Sequence, residues 1–165
     1  MSKQHYRAAT YKARSSIGYL VKRSHALMLD NLEPAFAEQG FSFIQWVVLM
    51  YLRDGIAVNA KDICVEFRHD SGALTRVIDQ LAERGLVERV RGMVDRRKVD
   101  LHLTPAGRAA VEALIPTVVD KLNFALGDFS SAEVREFTRL LTKLNSAMQL
   151  HLDKASSPTA VDAKE

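Results

Sequence analysis

A mainly α-helical fold is what this sequence predicts: a winged helix-turn-helix with a two-stranded β wing, flanked by long N- and C-terminal helices. Three observations predict it. Apolar residues recur at three- and four-residue steps near both termini, the period of a helix with one dry face. Two short amphipathic stretches, Ala60 to Phe67 and Ser71 to Arg84, are separated by little more than Arg68 and His69, which leaves room only for a tight turn. Between Val87 and Leu103 the period changes to alternation around a polar centre, the mark of a hairpin.

Taken in order, the first helical pattern runs from about Lys12 to Gln39, with Ile17, Leu20, Val21, Met28, Leu32, Ala35 and Phe36 on one face and Gly40 as its stop. Ser42-Phe-Ile-Gln45 has the form of a capping box. It opens a short, nearly all-apolar helix to Arg53 that is expected to be buried. Asn59 is placed to cap Ala60 to Phe67, and Asp70 to cap Ser71 to Arg84, whose Leu74, Val77, Ile78 and Leu81 share one side. Gly85 ends that helix. Val87 to Arg91 reads as a strand, Gly92 to Arg97 as a turn and Lys98 to Leu103 as a second strand. In the latter, Val99, Leu101 and Leu103 form a dry face opposite Lys98, Asp100 and His102. Thr104-Pro105 is a helix start. The helix that follows runs to about Asp128, with Pro116 expected to bend it. Ser130 to Glu133 is a second capping box, and Val134, Phe137, Leu141, Leu144 and Met148 behind it step as a heptad seam.

These boundaries give an N-terminal arm and dimerisation helix over 1–40, a DNA-binding lobe over 41–104, C-terminal dimerisation helices over 105–152 and a disordered tail over 153–165. The terminal helices carry more apolar face than one chain of 165 residues can cover, so a homodimer is expected.

Composition narrows the setting. A hydrophobic fraction of 47% is ordinary for a globular chain. A single cysteine, Cys64, excludes an internal disulfide and fits a reducing compartment. Its place between Ile63 and Val65 suggests structural packing within the lobe. No apolar segment follows the basic start as in a secretory signal. The longest apolar run, Ile44 to Leu52, contains Gln45 and is too short to cross a bilayer. A cytoplasmic protein without membrane contact is expected. Net charge is only +3, but Lys3, Arg7, Lys12, Arg14, Lys22 and Arg23 all precede the first acid, Asp30; such a start suits either a phosphate-seeking arm or a solvated helix face. Over Asn59 to Thr104, nine Lys/Arg face eight Asp/Glu. Any affinity for DNA there must come from where the bases are placed.

The run "LTRVIDQLAERGLVERVRGMVDRRKVDLHLTPAGRAAV", Leu74 to Val111, strongly resembles the MarR (multiple antibiotic resistance regulator) type of bacterial transcription factor. The resemblance rests on Thr75-Arg76, Leu81, Gly85-Leu86-Val87, Arg89, Asp95-Arg96-Arg97, Leu103-Thr104 and Gly107. It extends less specifically over Lys12 to Leu152. It implies a winged-helix homodimer that usually represses transcription and often responds to small aromatic or phenolic ligands.

Within that frame, Ser71, Gly72, Thr75, Arg76 and Gln80 lie off the apolar face of the second short helix. Arginine pairs with guanine O6 and N7, and glutamine with adenine, in the major groove. The alternative for Arg76 and Gln80 is plain solvation. Lys61, Arg68 and His69, near the turn, suit phosphate contacts that position without reading sequence. At the wing, one arginine of Arg96-Arg97 is placed to enter a narrow minor groove, braced by Asp95. The residues leave open which arginine inserts; the resemblance suggests that Arg97 pairs with Asp95.

An effector pocket is the family's next feature. His25 shares the stripe of Val21, Met28 and Leu32, while Trp46 and Met50 sit one turn apart on the next helix. His25, Met28, Trp46 and Met50 are therefore the ligand-binding candidates, against the alternative of ordinary packing around a core histidine. No cofactor is expected beyond a small aromatic effector. The five histidines are scattered without ligand spacing, so no metal is expected either. An enzyme is disfavoured, since there is no Gly-rich phosphate loop and no nucleophile elbow. The remaining alternative is a winged-helix protein-interaction module without DNA binding, against which the Asp95-Arg96-Arg97 tip and the polar Thr75, Arg76 and Gln80 speak.

Overall fold

The computed structural model describes residues 4–67, 70–91 and 99–156. The chain divides into two compact units, residues 1–121 and 122–165.

In the first unit, α1 spans Ile17–Ala37. It starts later than the apolar period suggests, because residues 8–10 and 13–15 form two separate 3-10 turns. Ser16 is the true cap, accepting from the Tyr19 N–H at 3.2 Å, and the Tyr6 hydroxyl takes the Ile17 N–H at 3.0 Å. Two free helical donors are thereby satisfied at Ile17 rather than at Lys12. Helix α2, Phe43–Arg53, begins with the full capping box between Ser42 and Gln45, and buries Val47, Val48 and Leu49.

Helix α3 spans Ala60–Phe67, where the Asn59 Oδ1 accepts the Asp62 N–H at 3.0 Å. Helix α4 spans Ser71–Glu83, where the Asp70 carboxylate accepts the Ala73 N–H at 2.9 Å. Both caps agree with the sequence reading. Gly85, at a φ of +68°, reverses the chain into β1, a conformation that costs a side-chain-bearing residue energy.

Strand β1, Val87–Arg91, pairs antiparallel with β2, Val99–Leu103, with Val87 opposite Leu103 and Arg91 opposite Val99. Leu101 is buried, and its N–H also reaches the Val58 carbonyl at 2.8 Å. Val99, expected on the dry face, is instead 42% exposed. It shares a pleat face with Leu101, but the core lies only under the hairpin's base and does not extend to its far end. The turn predicted over Gly92 to Arg97 lies outside the described residues.

Helix α5, Pro105–Ala125, continues through Pro116 and ends before the predicted Asp128, giving way to a turn over residues 126–128. Its Val111 joins Val48, Leu49, Ile63, Leu74, Ile78, Leu81 and Leu101 in the main core. A second cluster of Leu32, Phe36 and Leu114 ties α1 to α5. Cys64, expected to pack within the lobe, is half-buried at the edge of the main core.

In the second unit, α6 spans Ser131–Ser156. The predicted capping box is formed: the Ser130 N–H donates to Glu133 at 2.8 Å, and the Glu133 N–H to Ser130 at 3.3 Å. Because α6 runs to Ser156, residues 153–156, assigned to a tail from the sequence, are helical; the rest of that tail lies outside the described residues. Among the described residues no helix is long and apolar enough to cross a membrane.

Candidate nucleic-acid interface

Helix α4 is built with two unlike faces. Leu74, Ile78 and Leu81 are fully buried, while Ser71, Gly72, Thr75 and Arg76 are exposed. Burying one row against the core fixes the helix's rotation, so the other row is presented on a rigid support. Thr75 donates its hydroxyl to the Ser71 carbonyl at 2.8 Å, leaving its methyl and an oxygen lone pair for a partner. Arg76 makes no hydrogen bond or ion pair among the described residues, so its guanidinium is available. Lys61 is exposed on α3. Arg68, His69, Asp95, Arg96 and Arg97 lie outside the described residues.

Gln80 departs from the sequence reading, which left it free. Its side-chain oxygen accepts from the Gln45 Nε2 at 3.1 Å. Gln45 is a buried polar side chain on α2, and its own oxygen accepts from the Ser42 N–H at 3.1 Å and from Arg84 Nη1 at 3.4 Å. The Arg84 guanidinium lies 4.2 Å above the Phe41 ring, a favourable cation–π placement. Sequence reasoning assigned Gln45 only to the capping box. The signal it held was a polar residue inside an otherwise apolar helix, which must find partners when buried. Asp79 and Arg89 form an exposed ion pair between α4 and β1, bracing the hairpin against the helix.

A cavity of about 730 Å³ opens beside α1, α2 and the end of α3, with His25, Leu29, Asp30, Glu33, Phe43 and Phe67 among its lining. Only His25 of the four sequence-predicted ligand residues lines it. His25 is exposed in the single chain. Met28 is 44% exposed and off the cavity lining. Trp46 stacks on Phe36 with ring centres 5.4 Å apart, its indole N–H buried without an acceptor among the described residues. Met50 packs against the main core. Glu33 is already engaged, its carboxylate accepting the Phe43 N–H at the start of α2 at 2.8 Å. No group of three His, Cys, Asp or Glu suited to a metal occurs among the described residues.

Comparison with known proteins matches residues 39–98 to the MarR family. The chain is 30% identical to the HTH-type transcriptional regulator MgrA of Staphylococcus aureus over 109 residues, covering 66% of this chain and 73% of that protein. It is 24% identical over 134 residues to the HTH-type transcriptional repressor NicR of Pseudomonas putida, covering 81% and 85% of the two chains. Among solved structures, Bordetella bronchiseptica BpsR, studied for regulation of its DNA binding by 6-hydroxynicotinic acid, superposes with a TM-score of 0.71 at 29% identity, over 82% of this chain and 96% of that one. A mutant E. coli MarR complexed with operator DNA superposes with a TM-score of 0.68 at 26% identity, over 78% and 92%.

Proposed function

Because this chain belongs to the MarR family of DNA-binding transcription regulators, we propose that it acts in the cytoplasm as a homodimeric repressor released from its operator by a small aromatic ligand. The observation that carries this reading is the exposed row of Ser71, Gly72, Thr75 and Arg76 on a helix whose opposite face is locked into the core. Inserted in a major groove, Arg76 reads guanine through two parallel hydrogen bonds, and Thr75 contacts base or phosphate. Lys61, with Arg68 and His69 from the sequence, holds phosphates. Arg96 and Arg97, oriented by Asp95, probe the minor groove.

A homodimer is supported by apolar surface left on each unit separately. Ile17, Leu20, Val21, Leu27 and Met28 are at least 43% exposed on α1, as are Phe137, Leu140 and Met148 on α6. Apolar patches of that kind mark association sites. Two recognition helices related by a two-fold axis match half-sites about 10 base pairs apart, or a multiple of that.

Repression and ligand release are supported by the relatives. NicR is a repressor, and the DNA binding of BpsR is regulated by 6-hydroxynicotinic acid. In this chain the cavity beside α1 and α2 offers the Phe43 and Phe67 rings, the His25 imidazole and the carboxylates of Asp30 and Glu33. That lining suits a planar ring with hydroxyl or ring N–H donors better than a strongly anionic one, which two carboxylates repel.

The test is fluorescence anisotropy with the DNA upstream of the gene and a scrambled duplex, across a salt series and a panel of neutral hydroxylated aromatics and heterocycles, with aromatic acids as the contrasting set. Tight, salt-steep binding to the upstream DNA, weakened by one ligand class, is expected. Equal weak binding to both duplexes and to a genomic pool refutes the reading.

A further inference from the structure

We propose that Gln45, buried behind α4, dictates which base edge Gln80 reads, committing it to a hydrogen-bond-accepting edge, that of guanine. The inference rests on the reading of α4 as the recognition helix. A carboxamide has two ends of nearly equal shape, and its orientation is decided by the partners it meets. For Gln45 those partners are decisive. The Ser42 N–H at 3.1 Å and the Arg84 Nη1 at 3.4 Å can only donate, so the end facing them is the oxygen.

The Gln45 NH₂ therefore points at Gln80, 3.1 Å away, and Gln80 must answer with its oxygen. Neither donor is free to leave. Ser42 also accepts the Gln45 N–H at 3.3 Å to cap α2, and Arg84 is held over the Phe41 ring. The polarity thus passes from the start of α2, through a buried amide, to the exposed side of α4.

The consequence lies at the surface. A free glutamine reads adenine by using its oxygen for N6 and its NH₂ for N7. Here the oxygen is held by Gln45, and the Gln80 NH₂ has no partner among the described residues. Gln80 is exposed, so it presents two donors. Guanine offers two major-groove acceptors, O6 and N7, whereas adenine sets a donor beside its acceptor.

The experiment selects duplexes from a random-sequence library with the full chain, then measures anisotropy with every base at each half-site position. The wild type is expected to favour guanine over adenine by roughly tenfold at one symmetric position, a size ordinary for a direct base contact. Gln80→Ala should erase that preference at that position alone. Gln45→Glu is the decisive variant. Its carboxylate still accepts from Ser42 and Arg84, but turns an oxygen toward Gln80, which must swing its NH₂ inward and its oxygen outward. The preference should then move to a donor-bearing base, adenine or cytosine, although residue 45 touches no DNA.

Gln80→Glu, whose carboxylate still accepts from Gln45, makes the same inversion directly and should favour cytosine. Thermal melting of each variant separates loss of fold from loss of reading. Uniform weakening on all duplexes by Gln45→Glu and Gln80→Glu, or an unchanged guanine preference, overturns the inference. Arg76→Ala runs alongside: full affinity in that variant sinks the recognition-helix reading itself, whereas loss there with an unchanged Gln45→Glu profile sinks only the polarity relay.

Discussion

The hydroxyl of Thr104 donates to the Gly85 carbonyl at 2.7 Å, joining the end of the hairpin to the residue that starts it. The same oxygen accepts the Gly107 N–H at 3.0 Å and so caps α5. One short side chain therefore holds three elements in register: the exit from α4, the base of the hairpin and the entry to α5. The hairpin's position relative to α4 is fixed at this residue, where the Thr104 N–H also reaches the Leu86 carbonyl at 3.1 Å.

Replacing Thr104 by valine keeps the shape and removes the hydroxyl. Losing a helix cap and an interelement hydrogen bond together should lower stability by about 1–2 kcal/mol. Urea unfolding checks this. The main-chain bond to Leu86 survives, so the fold should too.

Gly107 stands where no side chain fits. A Cβ there would overlap the Leu86 carbonyl oxygen and lie 2.8 Å from its carbon. Those are main-chain atoms at the hairpin base, and they cannot swing aside as a flexible side chain would. Gly107→Ala should cost about 1–3 kcal/mol, the usual scale for forced overpacking. It should also weaken DNA binding, since relief of the clash displaces the wing. Denaturant midpoints with operator titrations measure both, and a variant matching the wild type in both would show the approach to be looser than the structure has it.

Much of this was legible in the sequence for a local reason. Ser42 with Gln45, Asn59, Asp70, Thr104 with Pro105, and Ser130 with Glu133 each act within one helical turn, so their spacing alone locates helix starts. What escaped depends on residues far apart in the chain. The start of α1 depends on Tyr6 reaching Ile17, eleven residues on. Strand alternation gives the face of Val99 but not how far the core extends beneath it. Gln80 looked free because its partner, Gln45, lies 35 residues earlier on another helix. Likewise, Trp46 was grouped with His25 by character, yet its ring turned to Phe36 and left the cavity to Phe43 and Phe67.

An alkaline limit on stability should trace in part to Tyr51. Burial first, and then the negative charge of Glu66, raise its phenol above the ordinary value of 10.0. A group whose pKa is raised on folding adds stability that is complete below the unfolded value and lost as pH rises through the folded one. Tyr51→Phe should therefore flatten the loss of stability above pH 10.0 while leaving the neutral-pH slope unchanged. Urea midpoints collected from neutral to alkaline pH reveal the difference; parallel curves for the two proteins would remove Tyr51 from the account.

In the proposed function Arg76 and Lys61 separate reading from holding. Both are exposed cations, yet they sit on different helices and should fail differently. Arg76 lies one turn beyond Gly72 on the exposed row of α4, the row proposed above to meet base edges. Lys61 lies in the first turn of α3, where the proposed reading has its ammonium meet phosphate. Arg76→Ala should cost about 1–3 kcal/mol on the selected operator and little on a scrambled duplex, flattening base preference at one position. Lys61→Ala should weaken both duplexes alike and reduce the slope of log affinity against log salt by about 1. Titrations of both variants on both duplexes at several salt concentrations give four curves per protein. If Lys61→Ala altered base preference while Arg76→Ala altered only the salt slope, the roles would be reversed and α3, not α4, would be the reading helix.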